Sequence, residues 1–293
     1  MSWLAIIIIA HLFYALVFIF DKYILSRSLP HPIVYSFYVG VLSIVICALI
    51  PFGFYWPSFR EFILVLICGA VSVVGNVLFY TALSKDEASR VIPFTGGFVA
   101  VFTLILSIFI LGEQLNLYQV LAFALLVLGS LIISFEKKKI FSKNFAMAAL
   151  SALFFAIFWV LTKYIFVGTT FVSGTIWVRM GVVLASLALL IPKKNRELIF
   201  KKTEKAKPRT FVIFALGRAL SILGGLGIYF AVYLGSVSLT NSLQGLQYAF
   251  ILLLAFLLYK KYPSLKEEFS REVIIQKIIA VILIVFGLGI LVI

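Results

Sequence analysis

Two arginines lie deep inside apolar stretches of the sequence, where a charge is costly. Arg179 is nine residues into the run 171–191, and Arg218 is nine residues into the run 210–233. An arginine at the centre of a membrane-spanning helix costs about 2.5–3.5 kcal/mol on insertion scales, and such residues usually face a cavity or a partner. Either guanidinium could bind a substrate carboxylate or phosphate. The alternative is a structural arginine that donates to carbonyls of a neighbouring helix.

Amide side chains recur at helical spacing in two other apolar runs. Residues three, four or seven apart share one face of a helix, so these amides form stripes. A stripe could hydrogen-bond a substrate, or it could bond to a neighbouring helix, which contributes only about 0.6 kcal/mol on average. The stripes contain Asn76 and Tyr80 in the third run, and Asn241, Gln244 and Tyr248, flanked by Gln247, in the ninth.

Aromatic residues and one histidine form two further stripes, in the first and sixth runs. The first contains His11, Tyr14 and Phe18, and the second contains Phe155, Trp159 and Lys163. Aromatic faces could form a stacking wall of a central cavity, or they could pack between helices and anchor the chain at the interface. An unperturbed histidine titrates close to neutrality, so His11 could carry a proton.

These candidates belong to a chain that is too apolar for water. Of its 293 residues 63% are hydrophobic and 12% charged, whereas soluble domains contain about 45–50% and about 25%. We expect a membrane protein of about ten spans, which excludes a conventional soluble enzyme domain. The net charge of +14 comes from basic residues between the apolar runs, which favours contact with anionic lipid head groups over nucleic acid. The two cysteines, Cys47 and Cys68, offer no metal-binding spacing, and no cofactor or metal is predicted.

Ten apolar runs predict an all-α fold of ten transmembrane helices. An internal repeat relates them: at an offset of 141 residues, Lys22-Tyr23-Ile24 matches Lys163-Tyr164-Ile165, and the offset changes to 149 and 158 only after inserted loops. Two five-helix units, 1–139 and 140–293, follow from this. Because five is odd, the second unit enters the membrane from the opposite side, an arrangement typical of secondary transporters. The predicted helices are 3–22, 32–51, 62–83, 88–111, 116–135, 145–166, 171–191, 210–233, 238–259 and 273–293.

The chain resembles the EamA family of the drug/metabolite transporter superfamily. The resemblance rests on a first helix that is rich in aromatic residues and alanine and ends in lysine, and on short motifs in the later helices. They are Tyr80-x-Ala82 with Ser89, Leu111-Gly112-Glu113, Leu128-Gly129 and Arg179. It implies transport of small metabolites, often efflux of amino acids or related compounds, without ATP hydrolysis. The chain departs from the pattern at Tyr38, where the family carries an arginine, and at Lys261-Tyr262, which stands in place of the second Gly-Glu.

Charge also predicts the orientation. Of the 25 lysines and arginines, 21 lie in or next to the odd-numbered connections, so the positive-inside rule places those loops in the cytoplasm and both termini outside. The family is usually described with both termini inside, and the charge count carries more weight here because its bias is large.

The preferred hypothesis is a secondary transporter or exporter in the cell membrane that moves small metabolites by alternating access. One alternative is a translocator of lipid-linked or nucleotide-linked sugars, which needs a wider cavity lined by arginines. A second is a membrane enzyme acting on lipid substrates. It is disfavoured because acids are few, and those inside or at the ends of helices, Asp21 and Glu113, are expected to be isolated. The substrate, the transport direction, coupling to a proton or other ion gradient, and the oligomeric state stay open.

Overall fold

The computed structural model describes residues 2–27, 31–86, 88–134, 143–201, 208–258 and 271–292, and this part of the chain contains helices and no strand. The elements are α1 (Ser2–Arg27), α2 (Pro32–Val41) continued by a 3-10 segment (Leu42–Phe52), α3 (Phe59–Lys85), α4 (Ala88–Leu111), α5 (Leu117–Ser134), α6 (Lys143–Val167), α7 (Phe171–Ala188), α8 (Lys193–Phe200), α9 (Pro208–Leu234), α10 (Val237–Ser242), α11 (Gln244–Leu258) and α12 (Arg271–Val292). Within the described residues, each of the ten predicted runs contains helix.

Three local features differ from the predicted helices. The second run changes from α to 3-10 geometry at Leu42 and ends before Gly53, whose φ of 110° suits glycine. The ninth run is broken at Leu243 into α10 and α11. The stretch that was expected to be only a basic loop contains α8, which is anchored by the buried side chain of Ile199 against Val34 and Phe37.

Length and composition identify six helical stretches that could cross a membrane, all in the described part of the chain. They are Pro32–Phe52, Phe59–Lys85, Val91–Leu111, Asn144–Val167, Phe171–Ala188 and Phe211–Leu234. Three shorter apolar stretches accompany them: Ala5–Asp21, Leu117–Ile132 and Ile275–Leu291. Large apolar side chains point outward, such as Phe109 (83% exposed) and Phe286 (67% exposed), which suits contact with lipid rather than with water.

Some helix interfaces are closely packed, and the one between the 3-10 segment and α9 is loose. The most extensive contacts join α1 to α9, α3 to α6 and α5 to α12. Helices α3 and α7 meet backbone to backbone, because a side-chain carbon on Gly69 would overlap the carbonyl of Gly181. The 3-10 segment and α9 touch only slightly. A narrow opening lies between them, bordered by Ser43, Ile46 and Ser221, and it shares both arginines with the central cavity.

Candidate functional site

A central cavity of about 190 Å³ lies among helices from both halves of the chain. It is far larger than the 10–15 Å³ that one water molecule needs. Eight of the eleven candidate residues line it, and the other three do not. The lining candidates are Tyr14, Asn76, Tyr80, Trp159, Arg179, Arg218, Gln244 and Gln247.

Arg179, in the middle of α7, faces the cavity without an acidic partner. No carboxylate of the described part of the chain lies within salt-bridge distance of it. Its guanidinium lies 4.8 Å from the centre of the Tyr229 ring on α9, an attractive cation–π arrangement. The backbone of Gly225 leaves room for it: a side-chain carbon there would come within 3.0 Å of Arg179 Nη2 and 3.2 Å of the Tyr14 hydroxyl. The guanidinium therefore lies against Tyr14 and Tyr229, and its charge is not balanced by an acid of the described residues.

Arg218 faces the same cavity but is paired. Its Nη2 donates to the carboxylate of Asp21 on α1, whose side chain is 2% exposed. The Tyr35 hydroxyl donates to the same carboxylate at 2.5 Å, and the Tyr80 hydroxyl lies 3.4 Å from its second oxygen. Four elements, α1, α2, α3 and α9, thus meet at one buried carboxylate. A buried ion pair of this kind is held by hydrogen bonds as much as by charge.

Asp21 was not among the predicted site residues, and its expected isolation near a helix end is wrong. The predicted first helix ended at residue 22, which would have put Asp21 at the membrane surface. In the structure α1 continues to Arg27, so Asp21 lies within the helix. An acid inside an apolar helix is itself a signal for a functional site, because ionisable residues are rarely tolerated there. The sequence could have revealed this residue if the helix end had been placed correctly.

The amide stripe of the ninth run is split between the cavity wall and its support. The Tyr248 hydroxyl donates to Gln244 Oε1 at 3.2 Å, and Gln244 Nε2 lies 3.3 Å from Asn241 Oδ1. The Asn241 amide in turn donates to the carbonyl of Val237 at 2.9 Å. Asn241 does not line the cavity and instead holds Gln244 in place. Gln247 lines the cavity directly.

His11 and Lys163 also lie outside the central cavity. His11 is fully buried in α1 beside Gln247, and neither ring nitrogen makes a well-formed hydrogen bond with a described residue. Lys163 Nζ donates to the carbonyls of Val232 and Tyr233, at 2.9 and 3.2 Å, where α9 ends. A cation suits this place because the carbonyls at the end of a helix carry partial negative charge. The predicted stripes of the first and sixth runs are thus only partly in the cavity.

A second polar cluster lies outside the central cavity, near Lys163. Glu113, just after α4, accepts a hydrogen bond from Ser238 in α10, and the Ser238 hydroxyl lies 2.8 Å from that of Ser107. Glu113 and Lys163 both border a cavity of about 410 Å³, separate from the central one. Like Asp21, Glu113 is therefore hydrogen-bonded and not isolated. The described residues contain no group of His, Cys, Asp or Glu that could hold a metal ion.

Comparison with known proteins finds a family resemblance in the first part of the chain and a similar fold over nearly all of it. Residues 1–135 match the model of the EamA-like transporter family. One solved crystal structure, which has no functional description, aligns with 99% of this chain and 95% of its own at a TM-score of 0.66 and 18% identity. That likeness concerns the fold alone, and it extends over both halves of the chain. No curated protein matches the sequence.

The apolar helices and the family match agree with each other. Six helical stretches in the described part of the chain are long and apolar enough to cross a membrane, and the matching family is one of transporters. The chain is therefore a membrane protein whose residues 1–135 are similar to the EamA-like transporter family.

Proposed function

We propose that this protein is a secondary transporter that moves small metabolites carrying a carboxylate or phosphate group, such as amino acids and related compounds, across the cell membrane by alternating access. The observation that carries the proposal is Arg179. A guanidinium is buried in a central cavity and has no carboxylate partner in the described part of the chain. A buried charge without a counter-ion is costly, and an anionic substrate would compensate it.

The proposed architecture is ten membrane-spanning helices in two inverted repeats, 1–139 and 140–293. The packing supports it. If α1, α3 and α5 correspond to α6, α9 and α12, exchanging the two units turns the α1–α9 contact into the α6–α3 contact and leaves the α5–α12 contact unchanged. These are the three most extensive contacts in the molecule. A cavity between such units is where alternating access places a substrate.

The lining of the cavity suggests how a small metabolite would bind. Arg179 would hold a carboxylate or phosphate, the amides of Asn76, Gln244 and Gln247 would donate or accept hydrogen bonds, and Trp159 would form an apolar wall. The Trp159 ring packs 5.6 Å from that of Tyr229, so the wall is continuous with the ring that faces Arg179.

The cavity size favours small metabolites over nucleotide-linked or lipid-linked sugars. Pockets for drug-sized ligands are about 300–1,000 Å³, and this cavity is about 190 Å³. The enzyme alternative gains no support from Asp21, because its carboxylate is bound to Arg218 and it is the one acid among the described residues that line the cavity.

Transport by the full chain in proteoliposomes tests the proposal. The probes are radiolabelled L-alanine, L-glutamate, succinate and inorganic phosphate, with UDP-glucose for the alternative. We expect flux of at least one small anion and a loss of about tenfold or more in Arg179→Gln, since losing a hydrogen bond to a charged group costs about 1.5–3 kcal/mol. The matched control is Arg60→Gln, an exposed arginine at the start of α3. Equal flux in Arg179→Gln and the unaltered protein would refute this site.

The proposed orientation places the odd-numbered loops in the cytoplasm and both termini outside, following the distribution of lysine and arginine. A reporter fused after Ile293 that is active only in the cytoplasm tests it. Activity of that fusion would show that the termini lie in the cytoplasm, and the proposed orientation would be wrong. The proposed binding site would be unaffected, because inverted units form the same cavity in either orientation.

A further inference from the structure

The buried carboxylate of Asp21 joins the two halves of the molecule at the wall of the cavity. Its partners Tyr35 and Tyr80 come from α2 and α3, and Arg218 comes from α9, 197 residues away in the sequence. The ion pair is therefore a direct polar bridge between the first half of the chain and the second. A change in the charge of Asp21 would act on the contact between the halves, which must move past each other during alternating access.

The charges of the cavity do not balance. Among the described side chains, two guanidinium groups, Arg179 and Arg218, and one carboxylate, Asp21, line it. With Asp21 ionised the net charge is therefore one positive, which a monoanionic group balances. With Asp21 protonated it is two positive, and Arg218 loses its partner. Arg218 Nε is already buried without a hydrogen-bond partner in the described part of the chain, so this side chain has further capacity to donate.

We propose that Asp21 is the site of a coupling proton, and that its protonation frees Arg218 to bind the second anionic group of a dianionic substrate held by Arg179. The proton comes from water in the cavity and adds to a carboxylate oxygen of Asp21, while Arg218 keeps its own charge. The occupied cavity is then neutral, because the two guanidinium groups balance the dianion, and one dianion and one proton cross together with a net charge of −1. This inference rests on the proposed function, since it names the substrate class and the coupling ion of the same cavity.

The surroundings of Asp21 contain few competitors for this role. The titratable groups that face it are the hydroxyls of Tyr35 and Tyr80 and the Arg218 guanidinium. Tyr14, on the same helix, lies near Tyr80 and Arg218 instead. Helix α11, which also packs on α1, contributes Tyr248 and glutamines to the cavity wall and no charged side chain. Ionisable groups inside a membrane protein commonly mark ion paths and proton relays. His11, the proton carrier suggested by the sequence, does not line the cavity.

Infrared difference spectroscopy on the full chain in lipid tests the proton site without any substrate. Spectra are compared over about pH 4 to 9, which spans the range in which buried carboxyls titrate. We expect a C=O stretch from a protonated carboxyl that disappears in Asp21→Asn and persists in Glu113→Gln. Glu113 is a matched control because its carboxylate is also bonded but lies outside the central cavity. A band unchanged by Asp21→Asn, or no carboxyl band at all, would overturn the proton site.

Proton flux tests the coupling. Proteoliposomes that contain a trapped pH dye receive succinate, L-glutamate or inorganic phosphate outside. In the unaltered protein we expect proton entry together with the dianion, and an apparent affinity that falls up to tenfold per pH unit as one linked proton is lost. Asp21→Asn should bind the dianion with an affinity independent of pH and lose at least tenfold of the proton flux per anion. Dianion transport without protons would overturn the coupling, whereas no anion transport by the unaltered protein would refute the proposed function and leave the infrared test valid.

Discussion

The two arginines of the central cavity have opposite electrostatic surroundings. Arg218 donates to Asp21 beside two tyrosine hydroxyls, whereas Arg179 faces the ring of Tyr229 and no acid of the described chain. A paired arginine contributes to the cohesion of the helices, and an arginine without an acid offers its charge to a ligand. In our proposal, Arg179 is thus available to an anion at all times, whereas Arg218 holds the helices together until its acid is protonated.

The difference follows from which positions of the two halves carry charge. At the offset of 141 residues Arg179 corresponds to Tyr38, and Asp21 corresponds to Thr162. At the offset of 149 Tyr80 corresponds to Tyr229. The two tyrosines are thus matched, but one lies beside an acid and the other beside a guanidinium. In the proposed repeat, the two halves would share a scaffold while their charged residues differ.

The largest difference between the two arginines should appear in stability. Arg218→Gln leaves Asp21 buried without its cation, and breaking a buried pair in this way costs about 3–5 kcal/mol. Arg179→Gln leaves no acid without its cation, and it loses a cation–π contact with Tyr229, for which about 2 kcal/mol is typical of desolvated sites. Thermal unfolding of the two purified variants in the same detergent checks this. An equal loss of stability would mean that the two arginines do not differ as described.

A double variant tests whether the uncompensated charge of Asp21 causes the loss of stability in Arg218→Gln. Replacing both members of the pair, with Asp21→Leu and Arg218→Met, removes the uncompensated charge. Replacing a buried ion pair by apolar residues is often neutral or stabilising by about 1–4 kcal/mol. We therefore expect the double variant to recover most of the stability that Arg218→Gln loses, measured by the same unfolding assay. If it is as unstable as the single variant, the pair is not the source of the loss.

A smaller effect is expected from crowding Arg179 without changing a charge. Gly225→Ala places a methyl group about 3.0 Å from Arg179 Nη2 and should displace the guanidinium. We expect the affinity for the transported anion to fall about tenfold, equivalent to about 1.4 kcal/mol. The control is Gly217→Ala in the same helix, where the new carbon meets Phe20 at an ordinary 3.4 Å. Equal affinities of the two variants would show that Arg179 is not part of the binding site.

The smallest effect is expected outside the cavity. Lys163→Met removes the cation that donates to the last carbonyls of α9, an interaction worth about 0.3–1 kcal/mol. Stability should fall by that amount, while the affinity for the anion stays within about twofold of the unaltered protein because Lys163 does not line the central cavity. A larger loss of affinity than in Gly225→Ala would show that Lys163 takes part in anion binding.

Individual residues show which parts of the candidate site can be predicted from the sequence and which cannot. Arg179 and Arg218 could be singled out from the sequence, because a charge in the middle of an apolar helix is visible without any neighbour, and both line the central cavity. Asp21 was missed because the end of α1 was placed five residues too early. Asn241 was assigned to the same stripe as Gln244, but the break at Leu243 turns its amide toward Val237 instead of the cavity. Errors thus arose where a helix end or a break decides which way a side chain points.

The apolar composition, the ten helical runs and the unequal charge of the connections follow from the amino-acid sequence by itself. Helices form through hydrogen bonds between residues four positions apart, and a helix that crosses the bilayer must be apolar over its length. Helix formation and suitability for the membrane therefore both depend on neighbouring residues in the sequence. Only the tertiary structure decides which arginine is paired. Asp21, Tyr35, Tyr80 and Arg218 are separated by up to 197 residues, and they meet because α1, α2, α3 and α9 pack around one carboxylate. No periodicity along the chain encodes that meeting, since it depends on how far each helix extends and on which face it turns inward.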